Sequence, residues 1–332
     1  KNGLGTTYPN PLVGSVIVHD GKIIGEGWHK KAGEPHAEVN AVNSVKDKSL
    51  LKEATIYVSL EPCSHFGKTP PCCDLIIANE IPNVVIGTVD PFAKVAGNGI
   101  KKLVESGKNV TIGILEDECN ELNKRFFTFH QKKRPYIILK WAETADGFIA
   151  PLSKEEKAPV WITNQYSRQL VHKWRTEEQA ILIGTNTVLE DNPKLDARDF
   201  SGNNPVRIVL DKSGKISKNY HVKDNSQKTI FITESENFIS TENCIYENAI
   251  FDIHLISSIC DILYKNEIQS VIIEGGNLTL QSFINANLWD EARVFKGKKV
   301  FQNGTKAPVI SGNLVANFEL LEDELKILSN YD

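Results

Sequence analysis

The chain has 332 residues, a formal net charge of -4 at pH 7 and a pI of about 6.1. This length favours two domains, each able to bury its own core, and the acidic balance disfavours a nucleic-acid partner. The sequence has no apolar run of the roughly 18 residues that a membrane span requires, and no signal-peptide pattern. We therefore expect no membrane partner. Six cysteines are too few for a disulfide scaffold, so we expect a reducing, cytoplasmic location.

The first elements predict a β-hairpin followed by a helix. Apolar runs at residues 13–18 and 22–28, separated by a His-Asp-Gly turn, are typical of two paired strands. A helix is then predicted from Pro35 to about Val45. Asn10 lies between two prolines just before the hairpin, where it is either part of a plain loop or an amide held towards a ligand.

Three residues in the next elements have the chemistry of a zinc site. His36 lies near the start of the helix, Cys63 follows a strand predicted at residues 54–60, and Cys72 opens a helix predicted to end at Asn79. One imidazole and two thiols fill three positions of a tetrahedral zinc ion and leave the fourth for water, which is typical of a catalytic site. The alternative is a buried histidine beside two reduced core thiols. A proline precedes each of these two cysteines, and proline is typical of the first turn of a helix. The helix dipole favours a thiolate at that position, so the prolines favour the zinc site.

Glu38, two residues after His36, is the predicted catalytic residue. A carboxylate beside the metal can carry a proton from the attacking water to the leaving nitrogen without being a ligand. The order H-x-E, then P-C, then a second cysteine is the zinc deaminase pattern, in which attack occurs at a ring carbon that bears an exocyclic amine. The pattern therefore predicts hydrolytic deamination.

The rest of the first half alternates strands and helices. Strands are predicted at residues 83–88 and 110–115, and helices at residues 100–106 and 116–129. This alternation predicts a layered α/β domain with a largely parallel sheet and an active site at strand-to-helix transitions. A charged segment ends at Pro135, so we predict one domain at residues 1–130 and another at residues 135–332.

The second half contains a candidate anion-binding turn. A strand at residues 271–273 leads to Gly275-Gly276 and then to a helix that begins near Thr279. Such a turn presents backbone N–H groups and a positive dipole end to a dinucleotide pyrophosphate, although the same turn is also a plain helix entry. The sequence has no G-x-G-x-x-G after a strand, which disfavours a Rossmann site.

Both halves closely resemble the bifunctional deaminase/reductase family of riboflavin biosynthesis. The first half matches in Thr7 to Gly14 and in the eight residues between Cys63 and Cys72, where other zinc deaminases have P-C-x-x-C. The second half matches in K-x-A-x-[ST]-x-D-G from Lys140 and in segments at 160–163, 172–175, 183–195 and 274–280. The resemblance implies an N-terminal cytidine-deaminase-like layered α/β domain and a C-terminal dihydrofolate-reductase-like α/β domain.

The resemblance also implies the chemistry and the site residues. It implies Zn²⁺-dependent deamination of 2,5-diamino-6-(ribosylamino)pyrimidin-4-one 5′-phosphate, then NADPH-dependent reduction of the ribosyl side chain to ribityl. The substrate contacts that it implies are Asn10, His65, Lys68, Arg175, Leu195, Arg198 and Glu274. The NADPH contacts are Trp161, Thr187, Asp191, Gly276, Asn277, Leu278, Thr279, Leu280, Gln281 and Ser282. Members of the family oligomerise through the reductase half, so we expect a homo-oligomer.

Two features depart from the family, and two other functions stay open. Pro159 follows a segment that lacks the family's G-E-S type sequence, so its contact with substrate is in doubt. The chain has no methionine and begins at Lys1, where the family has a helix, so we expect methionine positions and an N-terminal segment to be missing from the printed sequence. The alternatives are a single-activity deaminase with an accessory second domain and a non-enzymatic, zinc-stabilised binding protein.

Overall fold

The computed structural model describes residues 1–66, 70–92, 96–154 and 158–331. It divides into two compact units, Lys1–Lys133 and Arg134–Asp332. Each unit combines a β-sheet with helices, and this confirms the predicted α/β class.

The first unit contains a five-stranded mixed sheet. Its strands are β1 (Gly14–His19), β2 (Lys22–Trp28), β3 (Thr55–Leu60), β4 (Asn83–Thr88) and β5 (Asn109–Ile112). Its helices are α1 (Ala37–Ser44), α2 (Cys72–Ala78), α3 (Asn98–Glu105), α4 (Glu116–Leu122) and α5 (Lys124–Lys132), with a short 3₁₀ turn at Lys48–Glu53. The strand order is β2-β1-β3-β4-β5, with β1 antiparallel to both neighbours and β3, β4 and β5 parallel.

The core of this unit explains why the sheet and the helices meet. Alternate strand residues such as Ile17, Ile56 and Val84 are fully buried and pack in one cluster with Ile76 of α2 and Leu103 of α3. Burial of such side chains contributes about 1.5–3 kcal/mol each. The carboxyl ends of β3 and β4 are thereby held beside the starts of the helices that follow them.

One predicted helix is interrupted. The sequence indicates helix throughout residues 116–129, but the structure divides this stretch into α4 and α5 at Asn123. The side-chain amide of Asn123 accepts from the backbone N–H of Leu12 over 2.8 Å and donates to the Leu12 carbonyl over 2.9 Å. Local helical pattern carries no information about such a distant partner, so the interruption was not predicted.

The second unit contains a nine-stranded sheet and a two-stranded sheet. Its strands are β6 (Tyr136–Glu143), β7 (Phe148–Pro151), β8 (Ala180–Gly184), β9 (Val206–Leu210), β10 (Thr229–Thr233), β11 (Cys244–Asn248), β12 (Ser270–Ile273), β13 (Glu291–Lys296), β14 (Gly304–Lys306), β15 (Asn313–Leu320) and β16 (Asp323–Ser329). Its helices are α6 (Gln165–Glu177), α7 (Thr185–Asp191), α8 (Leu255–Lys265) and α9 (Asn277–Asn285), with a 3₁₀ turn at His221–Lys223.

The large sheet is parallel except at one edge. Its order is β11-β10-β9-β8-β12-β6-β13-β16-β15, and β16 and β15 are the antiparallel strands. The central strands β8 and β12 are buried along almost their whole length, as expected for a parallel sheet covered on both faces. Their carboxyl ends lie side by side, with α7 and α9 beginning just beyond them.

Candidate active sites

The three predicted zinc ligands meet in the first unit. His36 is the N-cap of α1, Cys63 follows β3, and Cys72 is the first residue of α2. Their candidate donor atoms all lie within 4.8 Å of one another. Nδ1 of His36 is 3.6 Å from Sγ of Cys63 and 3.4 Å from Sγ of Cys72. One imidazole and two thiols at this spacing fit a tetrahedral zinc ion with an open fourth position.

Hydrogen bonds favour the thiolate form of Cys63. The backbone N–H of Cys72 donates to Sγ of Cys63 over 3.3 Å. The hydrogen bond from the Cys72 thiol, supported by His36, outweighs burial and lowers the pKa of Cys63 to about 4. Because the thiolate is the form that binds metal, Cys63 is prepared as a ligand, whereas the same hydrogen bond, with burial, raises the pKa of the Cys72 thiol.

Glu38 is a buried carboxyl in the first turn of α1 and is only 3% exposed. Burial raises the pKa of Glu38, because desolvation disfavours its charged form. The helix lies close to β2 because Gly27 has no side chain, and a Cβ there would lie 2.4 Å from the backbone nitrogen of Ala41. A carboxyl in this position beside the ligand His36 can accept and return a proton.

A second buried carboxylate, Glu61, holds the segment that leads to Cys63. Within the described part of the chain, four backbone N–H groups donate to it, and it is 4% exposed. The donors are the N–H groups of Asp90, Gly97, Gly99 and Ile100, at 3.3, 2.9, 2.8 and 3.3 Å. Glu61 therefore ties the end of β3 to the start of α3. Glu61 was not predicted, although the glycine pair of the G-N-G segment was a signal, since glycines allow backbone N–H groups to approach a carboxylate closely.

Asn10 is linked to the zinc ligand His36 through the side chain of His29. Its Nδ2 is 3.1 Å from Nε2 of His29, and the His29 ring is edge-on to the ring of His36, with centroids 5.3 Å apart. His65 is exposed, and Lys68 lies outside the described residues. His29 was also not predicted, because a single histidine at a strand end belongs to no motif.

In the second unit, Glu274 follows β12 and lies between two cations. Nη2 of Arg175 donates to its Oε2 over 2.7 Å, and Nζ of Lys140 lies 3.7 Å from its Oε1. Burial alone would raise the pKa of Glu274, but Arg175 and Lys140 together lower it to about 2. Burial lowers the pKa of Lys140. Lys140 was not among the predicted contacts, although the K-x-A pattern begins there.

The turns after β8 and β12 have features that fit a dinucleotide. The backbone N–H of Gly276 donates to Oγ1 of Thr187 over 3.1 Å. A Cβ on Gly275 would lie 3.0 Å from the backbone nitrogen of Gly184, so the two turns touch. Oδ1 of Asn277 is buried and has no hydrogen-bond partner among the described residues. The start of α9 offers backbone N–H groups without a side-chain cap, so the cradle fits the phosphates and hydroxyls of NADPH.

Some of the predicted NADPH contacts line this region and others do not. Leu278 is 80% exposed, whereas Leu280 is buried in the main hydrophobic cluster. Gln281 and Ser282 bind backbone groups, at Val309 and Leu278 respectively. Oγ1 of Thr279 lies close to Gly184, because a Cβ on that glycine would be only 2.9 Å from it.

Trp161 and Asp191 are held by basic residues. The Trp161 indole is 44% exposed, and the Arg168 guanidinium lies 5.1 Å from its ring centroid. Asp191, at the end of α7, pairs with Lys154. Pro159 is exposed, next to residues that the structure does not describe.

The two arginines among the predicted substrate contacts both reach Asp196. Nη1 of Arg175 donates to its carbonyl over 3.0 Å, and Nη1 of Arg198 donates to its carboxylate over 2.5 Å. Leu195, the residue before, is 3% exposed and packs in a hydrophobic cluster. Its side chain therefore faces the core.

Two family models match the chain. The cytidine and deoxycytidylate deaminase zinc-binding region matches residues 2–88, and the RibD C-terminal domain matches residues 135–324. Within the described ranges, no helix is both long and apolar enough to cross a membrane.

Curated and solved relatives cover nearly the whole chain. Riboflavin biosynthesis protein RibD of Aquifex aeolicus is 42% identical over 92% of this chain and 85% of its own length, and that of Escherichia coli is 36% identical over 90% and 85%. A crystal structure from Thermotoga maritima, of a diaminohydroxyphosphoribosylaminopyrimidine deaminase/5-amino-6-(5-phosphoribosylamino)uracil reductase, is 38% identical. It covers 99% of this chain and 95% of that one, with a TM-score of 0.90. RibD of Acinetobacter baumannii is 29% identical, with coverage of 100% and 96% and a TM-score of 0.88.

The fold and the two sites define a two-part enzyme in which a zinc-binding deaminase domain precedes a reductase domain. The chain belongs to the RibD family, the bifunctional deaminase/reductases of riboflavin biosynthesis. Zinc and NADPH are the cofactors of the two domains. The predicted family, fold and cofactors are thereby confirmed.

Proposed function

We propose that the first unit deaminates 2,5-diamino-6-(ribosylamino)pyrimidin-4-one 5′-phosphate and that the second unit reduces the ribosyl side chain of the product with NADPH. The observation that carries the proposal is the meeting of His36, Cys63 and Cys72 beside the buried carboxyl of Glu38. The Thermotoga maritima relative is described by both activities. We assign the deaminase to residues 1–130 and the reductase to residues 135–332.

In the deaminase, Glu38 moves the protons. His36, Cys63 and Cys72 would hold zinc, whose Lewis acidity makes water a nucleophile near neutral pH. Glu38 takes a proton from the attacking water and delivers it to the departing amino nitrogen, so that water adds at the ring carbon, the carbon–nitrogen bond breaks and ammonia leaves. Burial, which raises the pKa of Glu38, helps it to hold the proton between the two transfers. Asn10, His65 and Lys68 would bind the substrate.

In the reductase, the protein orients two ligands. NADPH supplies the hydride when it is bound, so the task of the protein is to position the sugar carbon. Glu274 is held ionised between Arg175 and Lys140 and offers carboxylate oxygens at the end of β12. Trp161, Thr187, Asp191 and the segment 276–282 would bind NADPH, and Arg175, Leu195 and Arg198 would lie on the substrate side.

The test follows NADPH oxidation with the diaminopyrimidine ribosylamino phosphate as sole substrate. We expect oxidation in zinc-loaded enzyme and its loss in zinc-stripped enzyme, because the reductase would act on the deaminated product. Chemically deaminated substrate should restore oxidation in the stripped enzyme. Ammonia release without NADPH oxidation would instead support a single-activity deaminase, and the absence of both reactions would support a zinc-stabilised binding protein.

We also propose that the chain forms a homo-oligomer through its reductase unit. The strand β15 lies at the edge of the nine-stranded sheet, and its Leu314, Val315 and Phe318 are between 51% and 63% exposed. Long apolar edge strands are usually covered, because their backbone groups pair readily with another strand. A second copy of this chain, paired along β15, would cover it.

The oligomer can be tested by light scattering coupled to size-exclusion chromatography. Phe318→Glu should lower the measured mass to that of one chain, whereas Ile239→Glu, at an exposed position away from β15, should leave it unchanged. A wild-type mass of one chain would contradict this part of the proposal.

We place the protein in the cytoplasm, which is supported by its six free thiols.

A further inference from the structure

His29 is a buried side chain between two parts of the deaminase site. It follows β2, is 3% exposed, and its backbone N–H donates to the Val13 carbonyl over 3.0 Å. One ring nitrogen faces Asn10 and the other faces the Pro35 carbonyl, and the ring edge meets the ring of His36. No motif in the sequence includes this residue.

The partners of His29 determine which nitrogen carries the proton. Nδ1 lies 3.2 Å from the Pro35 carbonyl oxygen, which can only accept a hydrogen bond, so Nδ1 must carry a hydrogen. In a neutral imidazole the other ring nitrogen, Nε2, is then bare, and it accepts from Nδ2 of Asn10 over 3.1 Å. Both contacts are satisfied by one neutral tautomer of the imidazole.

This tautomer determines the orientation of the Asn10 amide. One hydrogen of Nδ2 is used by His29, and a flipped amide would place Oδ1 against the bare Nε2, two acceptors facing each other. The backbone N–H of Asn10 is held by the Thr7 carbonyl over 2.7 Å, so the side chain starts from a fixed point. Among the described residues Oδ1 and the second Nδ2 hydrogen have no other partner, which leaves one acceptor and one donor.

We propose that His29 is a positioning residue that locks the Asn10 amide in the orientation required to bind a pyrimidin-4-one edge. That edge offers a ring N–H and an adjacent carbonyl, a donor and an acceptor that match Oδ1 and the remaining N–H of Asn10. The inference rests on the proposed function, because it takes Asn10 to contact the substrate. It also explains how one amide selects a ring with this edge over a cytosine-type ring, which, with its amino-bearing carbon at the reacting position, offers a bare ring nitrogen and a carbonyl there, two acceptors.

Two substitutions of His29 separate its two contacts. In His29→Gln, the side-chain oxygen can replace Nε2 as the acceptor for Asn10, and the Pro35 carbonyl keeps its bond from Nδ2 of Asn40 at 3.2 Å. In His29→Asn, the shorter amide can replace Nδ1–H as the donor to Pro35 but cannot reach Asn10. A purely structural histidine would not distinguish the two variants in this direction.

The kinetic test measures ammonia release by the zinc-loaded enzyme and the zinc content of each variant. Loss of one neutral hydrogen bond should raise KM about five- to tenfold in His29→Asn, with kcat within about twofold and zinc content unchanged. His29→Gln should have a KM within about twofold of wild type. The double variant His29→Asn/Asn10→Ala should be no worse than Asn10→Ala alone, because His29 acts through Asn10.

Other results would overturn the inference. Independent effects of the two substitutions would show that His29 does not act through Asn10, and an unchanged KM in Asn10→Ala would remove the contact that His29 is said to orient. If wild type releases no ammonia at all, the proposed function fails. The contact between His29 and Asn10 can then still be tested by determining the tautomer of His29, which requires no activity. Nitrogen-15 NMR of the wild-type imidazole should show a protonated Nδ1 and a bare Nε2, and the opposite tautomer would refute the lock.

Discussion

The two active sites of this chain use charge in different ways. In the deaminase unit, His36, Cys63 and Cys72 converge with no carboxylate–cation pair among them, and the pKa of Cys63 is lowered mainly by hydrogen bonds. In the reductase unit, Glu274 and Arg175 are already paired, and Lys140 lies beside them. The first arrangement fits a site that takes up a cation, and the second fits a site that must orient neutral and anionic ligands without rearranging.

This difference predicts different responses to mutation. The deaminase should lose chemistry while keeping its fold, because Glu38 carries a proton and supports little else. The reductase should lose stability together with activity, because its carboxylate also neutralises two mostly buried cations.

Glu38→Gln should have the largest effect. The amide keeps the shape of the side chain but cannot shuttle a proton, so ammonia release should fall by about 10²- to 10⁴-fold. Zinc content and NADPH oxidation with chemically deaminated substrate should match wild type, and these serve as controls. Unchanged ammonia release would remove Glu38 from the proposed mechanism.

Glu274→Gln should lower both the stability and the activity of the reductase. It leaves Arg175 and Lys140 without their carboxylate, and removing one partner of a buried ion pair costs about 3–5 kcal/mol. We expect a clear drop in the unfolding temperature and loss of NADPH oxidation with deaminated substrate. Ammonia release at a temperature below unfolding should be retained. A variant as stable as wild type would show that the carboxylate does not neutralise these cations.

The contrast between the sites also explains what the sequence could predict. Zinc requires particular ligand types in a fixed order, so His36, Cys63, Cys72 and Glu38 could be chosen from motifs alone. The alternation of strands and helices likewise predicted the α/β class and, in the first unit, the bounds of most elements within a few residues. The pattern of a motif does not say which side of an element a residue faces, and Leu195 and Leu280 lie in the core although they stand in matching segments.

Residues that act through backbone or distant partners were missed. Glu61 acts through N–H groups of a later segment, His29 through a carbonyl and an amide, and Lys140 through a carboxylate that follows another strand. Each contact depends on tertiary packing, which no local pattern records.

Glu61→Gln should have an intermediate effect that remains within the deaminase. Its carboxylate accepts four backbone N–H groups, and replacing one oxygen by NH₂ places a donor against donors. We expect a loss of about 1–3 kcal/mol in the free energy of unfolding, measured by urea denaturation, and weaker zinc retention in chelator competition. Glu80→Gln removes only an exposed pair with Lys52 and should change neither quantity. Equal behaviour of the two variants would contradict the anchoring role.

The smallest predicted effect concerns pH and the reductase. His172 is 1% exposed, and its Nδ1 accepts from the backbone N–H of Asp199 at 3.4 Å. Burial, with a contribution from Arg175, lowers the pKa of His172 from 6.5 to about 4. Between these two values the unfolded chain binds a proton that the folded chain does not, so this contribution to stability is complete above pH 6.5 and is lost as the pH falls towards 4.

His172→Gln removes that proton linkage while leaving a polar side chain near Asp199. The difference in unfolding temperature between wild type and variant should therefore be greatest above pH 6.5 and should shrink as the pH falls towards 4. Thermal unfolding of both proteins at matched ionic strength measures this difference, and groups that are common to both cancel. A difference that stays constant across this range would mean that His172 has the same proton affinity in the folded and unfolded chains. Burial and the neighbouring Arg175 would then not control the charge of His172.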